Sequence, residues 1–314
     1  MTLAPRVVIV VRRSEYSDVV ARRGTRAQAQ FYLATRERDI DEVAARHATL
    51  QQALTAVSTV IPADWRRGTV ERADLDRFLF APDDVVVVVG QDGLVANVAK
   101  YLDGQPVIGF NDDPTRNVGV LVRHRPNTAA HLLRLAASAR LDRHVELRTM
   151  VEAAADDGQR LLALNEIYLG HASHQTARYT LVAPAEPPAA HAASYSAAPA
   201  AAPERQASSG ILVGTGTGAT GWCRSAWLER RSALALPAPT DPSLSWFVRE
   251  AWPSPATGTT LTEGVLSKDA TLRVMVESDR LIAFGDGIED DAVPLDWGQH
   301  ITFRVADRAL RLVV

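Results

Sequence analysis

A carboxylate set between two glycines is the first feature of this sequence that suggests chemistry. Gly90-Gln91-Asp92-Gly93 follows five consecutive valines, Val85 to Val89, and precedes apolar residues at helical spacing from Leu94 to Leu102. Asp92 thus stands on a glycine turn between a buried strand and a helix. Open α/β sheets bind ligands there, and the helix start offers free backbone N–H groups and a positive dipole end to a phosphate. A carboxylate so placed can take a proton from a hydroxyl. The same four residues also suit an ordinary tight turn with an incidental aspartate.

A second cluster, Gly214 to Gly221, holds four glycines and three threonines in eight residues, directly after the strand-like Ile211 to Val213. Flexible backbone donors and hydroxyls in that density line a phosphate or ribose well. Gly216 to Gly221 matches GxGxxG, but a dinucleotide fold needs an acidic residue about twenty positions on. The nearest are Glu229 and Asp241, and Pro237 and Pro239 interrupt the strand that should follow. Asn165-Glu166 interrupts the apolar stretch Leu161 to Leu169, and buried polar side chains there need partners, which a ligand can supply. His171 and His174 lack a third metal ligand at sensible spacing. The lone Cys223 reads as packing. Asp286-Gly287, with Glu289, Asp290 and Asp291, suits either Mg²⁺ or a solvated turn.

Other chemistries are excluded. One cysteine makes neither an intramolecular disulfide nor a multi-cysteine zinc site. Two lysines stand against thirty-two arginines, and with no Gly-Lys step the phosphate loop GxxxxGK[ST] is missing. A net charge of −3 gives no electrostatic reason to expect nucleic acid as partner. No apolar run approaches the length of a membrane span, so no membrane partner and a cytoplasmic location are expected.

The elements that must position these groups follow from periodicity. Arg6 to Val11 reads as a strand, Asp41 to Val60 as a helix ended by Pro62, Val85 to Val89 as a central strand and Pro106 to Phe110 as the next. Strand, glycine turn, helix and strand make a βαβ unit. After a helix from about Thr128 to Ala139 come short strand-like runs separated by turns. They suggest an antiparallel sheet or sandwich, hence a second domain from residue 126 to 292 after an α/β domain over 1–125. Residues 183–208, with twelve alanines and five prolines, read as an inserted loop. Leu272 to Val276, Leu281 to Phe284, Ile301 to Val305 and Leu310 to Val314 read as further strands.

These pieces, in this order, resemble the NAD kinase family, which shares a superfamily with diacylglycerol and sphingosine kinases. Val85 to Gly93 followed by Pro106 to Asn111 is similar to the family's apolar strand, GGDGT motif and "PVLGVN" strand. Val118 to Leu121 resembles its "LGFL" step, Leu162 to Glu166 its "ALNE", Gly210 to Trp222 its "DGLIVSTPTGSTAY", and Asp286-Gly287 its late "DGQ". The turn departs in Gln91 and Leu94, the second loop in Gly216, Ala219 and Gly221, and Ser209 stands where the family has an aspartate. The "PHSLSxRP" loop has no counterpart around Arg249 to Pro255.

The resemblance implies an N-terminal α/β domain, a C-terminal β-sandwich-type domain and a terminal segment, 293–314, returning to the first. It implies phosphoryl transfer from ATP with Mg²⁺, no metal being held by the protein alone, to the 2′-hydroxyl of the adenosine ribose of NAD. Asp92 would be the general base; Gly90, Gln91, Gly93 and Asn111 would hold the donor phosphates. Asn165, Glu166, Ser209, Thr215, Thr217, Gly218, Thr220 and Trp222 would hold the acceptor, with Asp286 beside them. A homodimer or homotetramer is expected. The departures keep two alternatives open: another hydroxyl acceptor such as a nucleoside, sugar or lipid headgroup, and a catalytically weak nucleotide sensor.

Overall fold

Five consecutive valines fix the centre of the first sheet, because β-branched side chains buried on both faces favour an interior strand. The computed structural model describes residues 4–184 and 202–314. It contains two compact units, Met1–Glu146 with Leu310–Val314, and Leu147–Ala309.

The first unit runs β1 (Arg6–Val11), α1 (Glu15–Arg23), α2 (Arg26–Ala34), α3 (Ile40–Thr59), β2 (Arg66–Glu71), β3 (Asp84–Gly90), α4 (Asp92–Ala99), β4 (Pro106–Asn111) and α5 (Ala129–Ala136). Its strands pair in the order β2-β1-β3-β4, all parallel. All seven residues of β3 are buried. Asp84 opens that strand at 1% exposure. It takes two hydrogen bonds from Arg6, at 2.7 and 2.6 Å, and one from the Ala81 N–H at 2.7 Å. Arg6 and Asp84 are also register partners, so this ion pair locks β1 against β3. The first unit extends past residue 126 because Ala129, Leu132, Leu133 and Ala136 of α5 pack into the core beneath the sheet.

The second unit continues with β5 (Val145–Ala155), β6 (Arg160–Ala163), β7 (Glu166–His171), β8 (Ala177–Val182), β9 (Glu204–Ser208), β10 (Gly210–Gly214), α6 (Trp222–Arg230), β11 (Ser243–Arg249), β12 (Glu263–Ser267), β13 (Leu272–Val276), β14 (Leu281–Gly285), β15 (Ile288–Leu295) and β16 (His300–Val313). One antiparallel sheet has the order β12-β11-β10-β7-β14-β15. A second layer joins β16, β13, β8 and β9, and carries the β5–β6 hairpin. Tyr179, Val274 and Phe303 from one layer and Ile167, Val213 and Leu244 from the other share one buried core. The architecture is therefore an α/β unit and an antiparallel β-sandwich.

Three local expectations are corrected. Leu161 to Leu169 is not one strand: Asp286 accepts the N–H groups of Leu164 and Asn165, both at 2.7 Å, and turns the chain between β6 and β7. Ile301 to Val305 and Leu310 to Val313 belong to one strand, β16, which ends one residue before Val314. Its first residues pair with β13, and its Arg311 and Leu312 pair in parallel with Pro106 and Val107 of β4. Of the expected loop at 183–208, residues 185–201 lie outside the described residues, while Glu204–Ser208 form β9 against β8.

Candidate functional site

Gly90 ends β3 with φ +143°, a backbone that side chains rarely adopt, and Gln91 follows as the residue before α4. Asp92 is the first residue of α4. Its Oδ2 accepts the N–H of Val120 at 2.9 Å, and its Oδ1 accepts those of Leu121 and Val122 at 2.8 and 2.9 Å. An ionised carboxylate has about four acceptor positions. Three are thus committed to holding one backbone segment.

That segment ends the loop that follows β4, and Asn111 shapes its beginning. The Asn111 amide donates to the Asn117 carbonyl at 3.1 Å and its Oδ1 accepts the Asp113 N–H at 3.1 Å. Both ends of the side chain are therefore used within the loop. Gly109 makes room for the loop's return: a Cβ there would lie 2.4 Å from the Leu121 carbonyl oxygen. The loop presents half-buried Asp112, whose Oδ1 accepts the Asn117 amide at 3.2 Å. Burial raises the Asp112 carboxyl above the usual aspartate range, and neighbouring Asp113 adds to the rise.

Asp112 shares with Gly90, Gln91 and Gly93 the wall of a cavity of about 580 Å³. Six arginines line it: Arg12 and Arg13 after β1, Arg22 and Arg23 of α1, Arg38, and Arg46 of α3. Only three carboxylates oppose them, Glu15, Asp18 and Asp112. Glu15 is paired to Arg38 at 2.5 Å and to Arg46 at 3.5 Å, and Arg38 holds its carboxyl below the usual range. Arg23 lies over the Tyr32 ring. Arg12 and Arg22 have no carboxylate partner among the described residues. The cavity is of small-molecule size, and its excess positive charge suits a phosphate-bearing ligand.

In the second unit, Thr215 organises the glycine-rich loop. Its hydroxyl donates to the Leu164 carbonyl at 2.6 Å and accepts the N–H groups of Thr217 and Gly218 at 3.0 and 3.3 Å. Gly218 lies so close to the Asn165 carbonyl that a Cβ would meet it at 2.3 Å, and 3.0 Å from Glu166 Oε2. Thr220 donates to the Thr217 carbonyl at 2.8 Å. Among the described residues, the buried Thr217 hydroxyl and Glu166 Oε2 have no hydrogen-bond partner. Burial, then the charge of Asp286, pushes Glu166 up to about 8. Burial also raises the Cys223 thiol, which makes it a packed group and not a nucleophile. The Ser209 carbonyl accepts the Tyr168 hydroxyl at 2.5 Å. The Trp222 ring stacks on Tyr168 at 5.3 Å, and the Arg249 guanidinium lies 5.4 Å from its centroid.

Neither a family model nor a curated relative matches the sequence. Solved structures do. The chain is similar to yeast NADH kinase complexed with NADH, with a TM-score of 0.58 and 14% identity over 99% of this chain and 84% of that one. It is similar also to an NAD kinase from Archaeoglobus fulgidus in complex with ATP, with a TM-score of 0.56 and 17% identity over 98% of this chain and 93% of that one. The chain has the fold of the NAD kinases.

Within this NAD kinase fold the residues expected from the sequence to form a site fall into two sets. Gly90, Gln91, Asp92, Gly93 and Asn111 meet around the start of α4. Asn165, Glu166, Thr215, Thr217, Gly218 and Asp286 meet around the β6–β7 turn, with Thr220 next along the loop and Ser209 and Trp222 about Tyr168. Sequence reasoning missed the cavity arginines and Asp112. The Arg12-Arg13 pair directly after β1 was the available signal. No group of three or more His, Cys, Asp or Glu side chains among the described residues is arranged to hold a metal ion. Nor is any described helix long and apolar enough to cross a membrane.

Proposed function

We propose that the chain is a small-molecule kinase that transfers the terminal phosphoryl group of ATP to the 2′-hydroxyl of the adenosine ribose of NAD. The arginine-lined cavity beside Gly90, Gln91 and Gly93 carries this reading. Phosphoryl transfer asks a protein chiefly to position the donor and to neutralise its charge. Arg12 and Arg22 offer that neutralisation without first breaking an ion pair, and the glycine turn lets phosphate oxygens approach the N–H groups that open α4. Mg²⁺ enters as the counter-ion that ATP brings.

The acceptor belongs to the second unit, where unpartnered Glu166 Oε2 and Thr217 Oγ1 offer hydrogen bonds to a polar ligand and Asn165, Ser209, Thr215, Gly218, Thr220 and Trp222 surround them. A homodimer or homotetramer in the cytoplasm belongs to the same reading. A different hydroxyl acceptor is the second reading. Trp222 favours it, since its ring already engages Tyr168 and Arg249, where a stacked base would compete. The test is a transfer screen with Mg²⁺-ATP against NAD, NADH, nucleosides, sugars and lipid headgroups, with products read by mass. NADP is the expected product. Another phosphorylated product would move the acceptor and keep the reaction; nucleotide binding without any product would replace the kinase with a sensor.

A further inference from the structure

The arginine-lined cavity holds a pair of groups that phosphate binding leaves unused. Ser14 and His47 both line it, and Ser14 Oγ lies 2.8 Å from His47 Nδ1. A hydroxyl within hydrogen-bond reach of an imidazole is the arrangement by which proteins activate an oxygen nucleophile. Ser14 caps α1: its Oγ accepts the Ser17 N–H at 3.2 Å, and the hydroxyl keeps its own proton to donate. Ser17 Oγ, at 3.1 Å, is its other neighbour. His47 stands within α3, and Tyr16 stacks on its ring with centroids 5.2 Å apart and planes 26° from parallel. Tyr16, Val19 and Val20 of α1 pack on a buried cluster of Ala29, Leu33, Ile40 and Val43, which fixes α1 against α3. The base is therefore oriented by a third group, and both partners sit on packed helices. Each is only half-buried, so a ligand in the cavity can reach them.

We infer that Ser14 is itself a phosphoryl acceptor, and that the chain modifies this serine from a nucleoside triphosphate held in its own cavity. The inference rests on the donor half of the kinase reading and is confined to the first unit. In the step, Ser14 Oγ bonds to the terminal phosphorus of the triphosphate. The bond from that phosphorus to the bridging oxygen breaks, and its electron pair leaves with the diphosphate. The hydroxyl proton passes to His47 Nδ1, and the imidazolium returns it to water. The cavity favours both ends of this change. Before transfer its arginines counter the triphosphate charge; afterwards they face a phosphoserine whose oxygens are strong acceptors for guanidinium donors. Glu15, the adjacent carboxylate, is already paired with Arg38 and Arg46.

The experiment incubates the purified full chain with γ-labelled Mg²⁺-ATP and localises the label by fragmentation mass spectrometry, which separates Ser14 from Tyr16 and Ser17. The wild type should gain one phosphoryl group, on Ser14, with a rate constant that does not change with protein concentration. Ser14→Asn keeps a capping side chain without a hydroxyl and should take no label there. Ser14→Thr should regain labelling at the same position. His47→Gln keeps a hydrogen-bonding side chain without the base and should slow labelling by about 10²- to 10⁴-fold. Labelling of Ser14 at the wild-type rate in His47→Gln, or a rate constant that rises with protein concentration, would overturn the inference. Calorimetry with ATP separates it from the donor reading. A wild type that binds ATP, loses that binding in Arg12→Ala with Arg22→Ala and yet gains no label would overturn the inference alone. A wild type that binds no ATP would overturn the donor reading with it.

Discussion

Glu166 carries a carboxyl whose Oε2 is sealed from water, has no hydrogen-bond partner among the described residues and lies near the charge of Asp286. With its pKa raised from 4.5 to about 8, the folded protein holds a proton that the unfolded chain has released across the interval between those values. Stability must therefore fall as pH rises through that interval, by about 1 kcal/mol per pH unit. Glu166→Gln removes the titration and keeps the shape. Urea unfolding of the two proteins at pH 5, 6, 7 and 8 should show a shallower pH slope for the variant. Parallel slopes would mean that Glu166 is ionised in the folded state.

At the level of elements, the decisive unit is the trio of β4, the loop after it and the start of α4. Gly109 lets the loop cross β4 at contact distance, and Asp92 holds it from the other side. Gly109→Ala forces a methyl group to within 2.4 Å of the Leu121 carbonyl oxygen, so the segment 120–122 must move off the Asp92 carboxylate. We expect a loss of about 1–3 kcal/mol in denaturant unfolding, the usual cost of overpacking. Gly93→Ala is the control: a Cβ there has no neighbour within 4 Å, and an alanine in a helix favours folding. If both substitutions cost the same, the close crossing at Gly109 is not what the loop depends on.

The parallel strands were legible because Val85 to Val89 and Pro106 to Phe110 are apolar runs between glycine and polar turns. β2 was not, since an edge strand written Arg-Arg-Gly-Thr-Val-Glu leaves only Val70 buried. The work of Asp92 was hidden for another reason. Its partners lie 28, 29 and 30 positions further along, beyond any local pattern. The clamp of Asp286 on Leu164 and Asn165 spans 122 and 121 positions and hid the break between β6 and β7 in the same way. Motif order pointed to the glycine turn and the threonine loop; side-chain roles needed the long-range bonds.

For the molecule as a whole, charge is distributed against its sum. A chain of net charge −3 gathers six arginines about one cavity. In a sequence with so many arginines, these six stood out only once the fold brought residues 12 to 46 together. Screening should therefore act on the cavity's ligand more than on the fold. Tripolyphosphate binding measured by calorimetry should weaken by about tenfold between about 0.1 and 1 M salt, and Arg12→Ala with Arg22→Ala should flatten that dependence. Salt-independent binding would place the anion elsewhere.

The last strand has a consequence for synthesis. β16 begins in the second unit, and its Arg311 and Leu312 then supply the parallel neighbour of β4 in the first. The first unit is thus discontinuous in the chain. On the ribosome its four N-terminal strands emerge early, yet the free edge of β4 waits for its partner until every residue of the second unit has been made. Domains that fold in order of emergence usually close before the next begins. Here the first sheet reaches its final width last, so the two units become a single problem in folding although each has its own core.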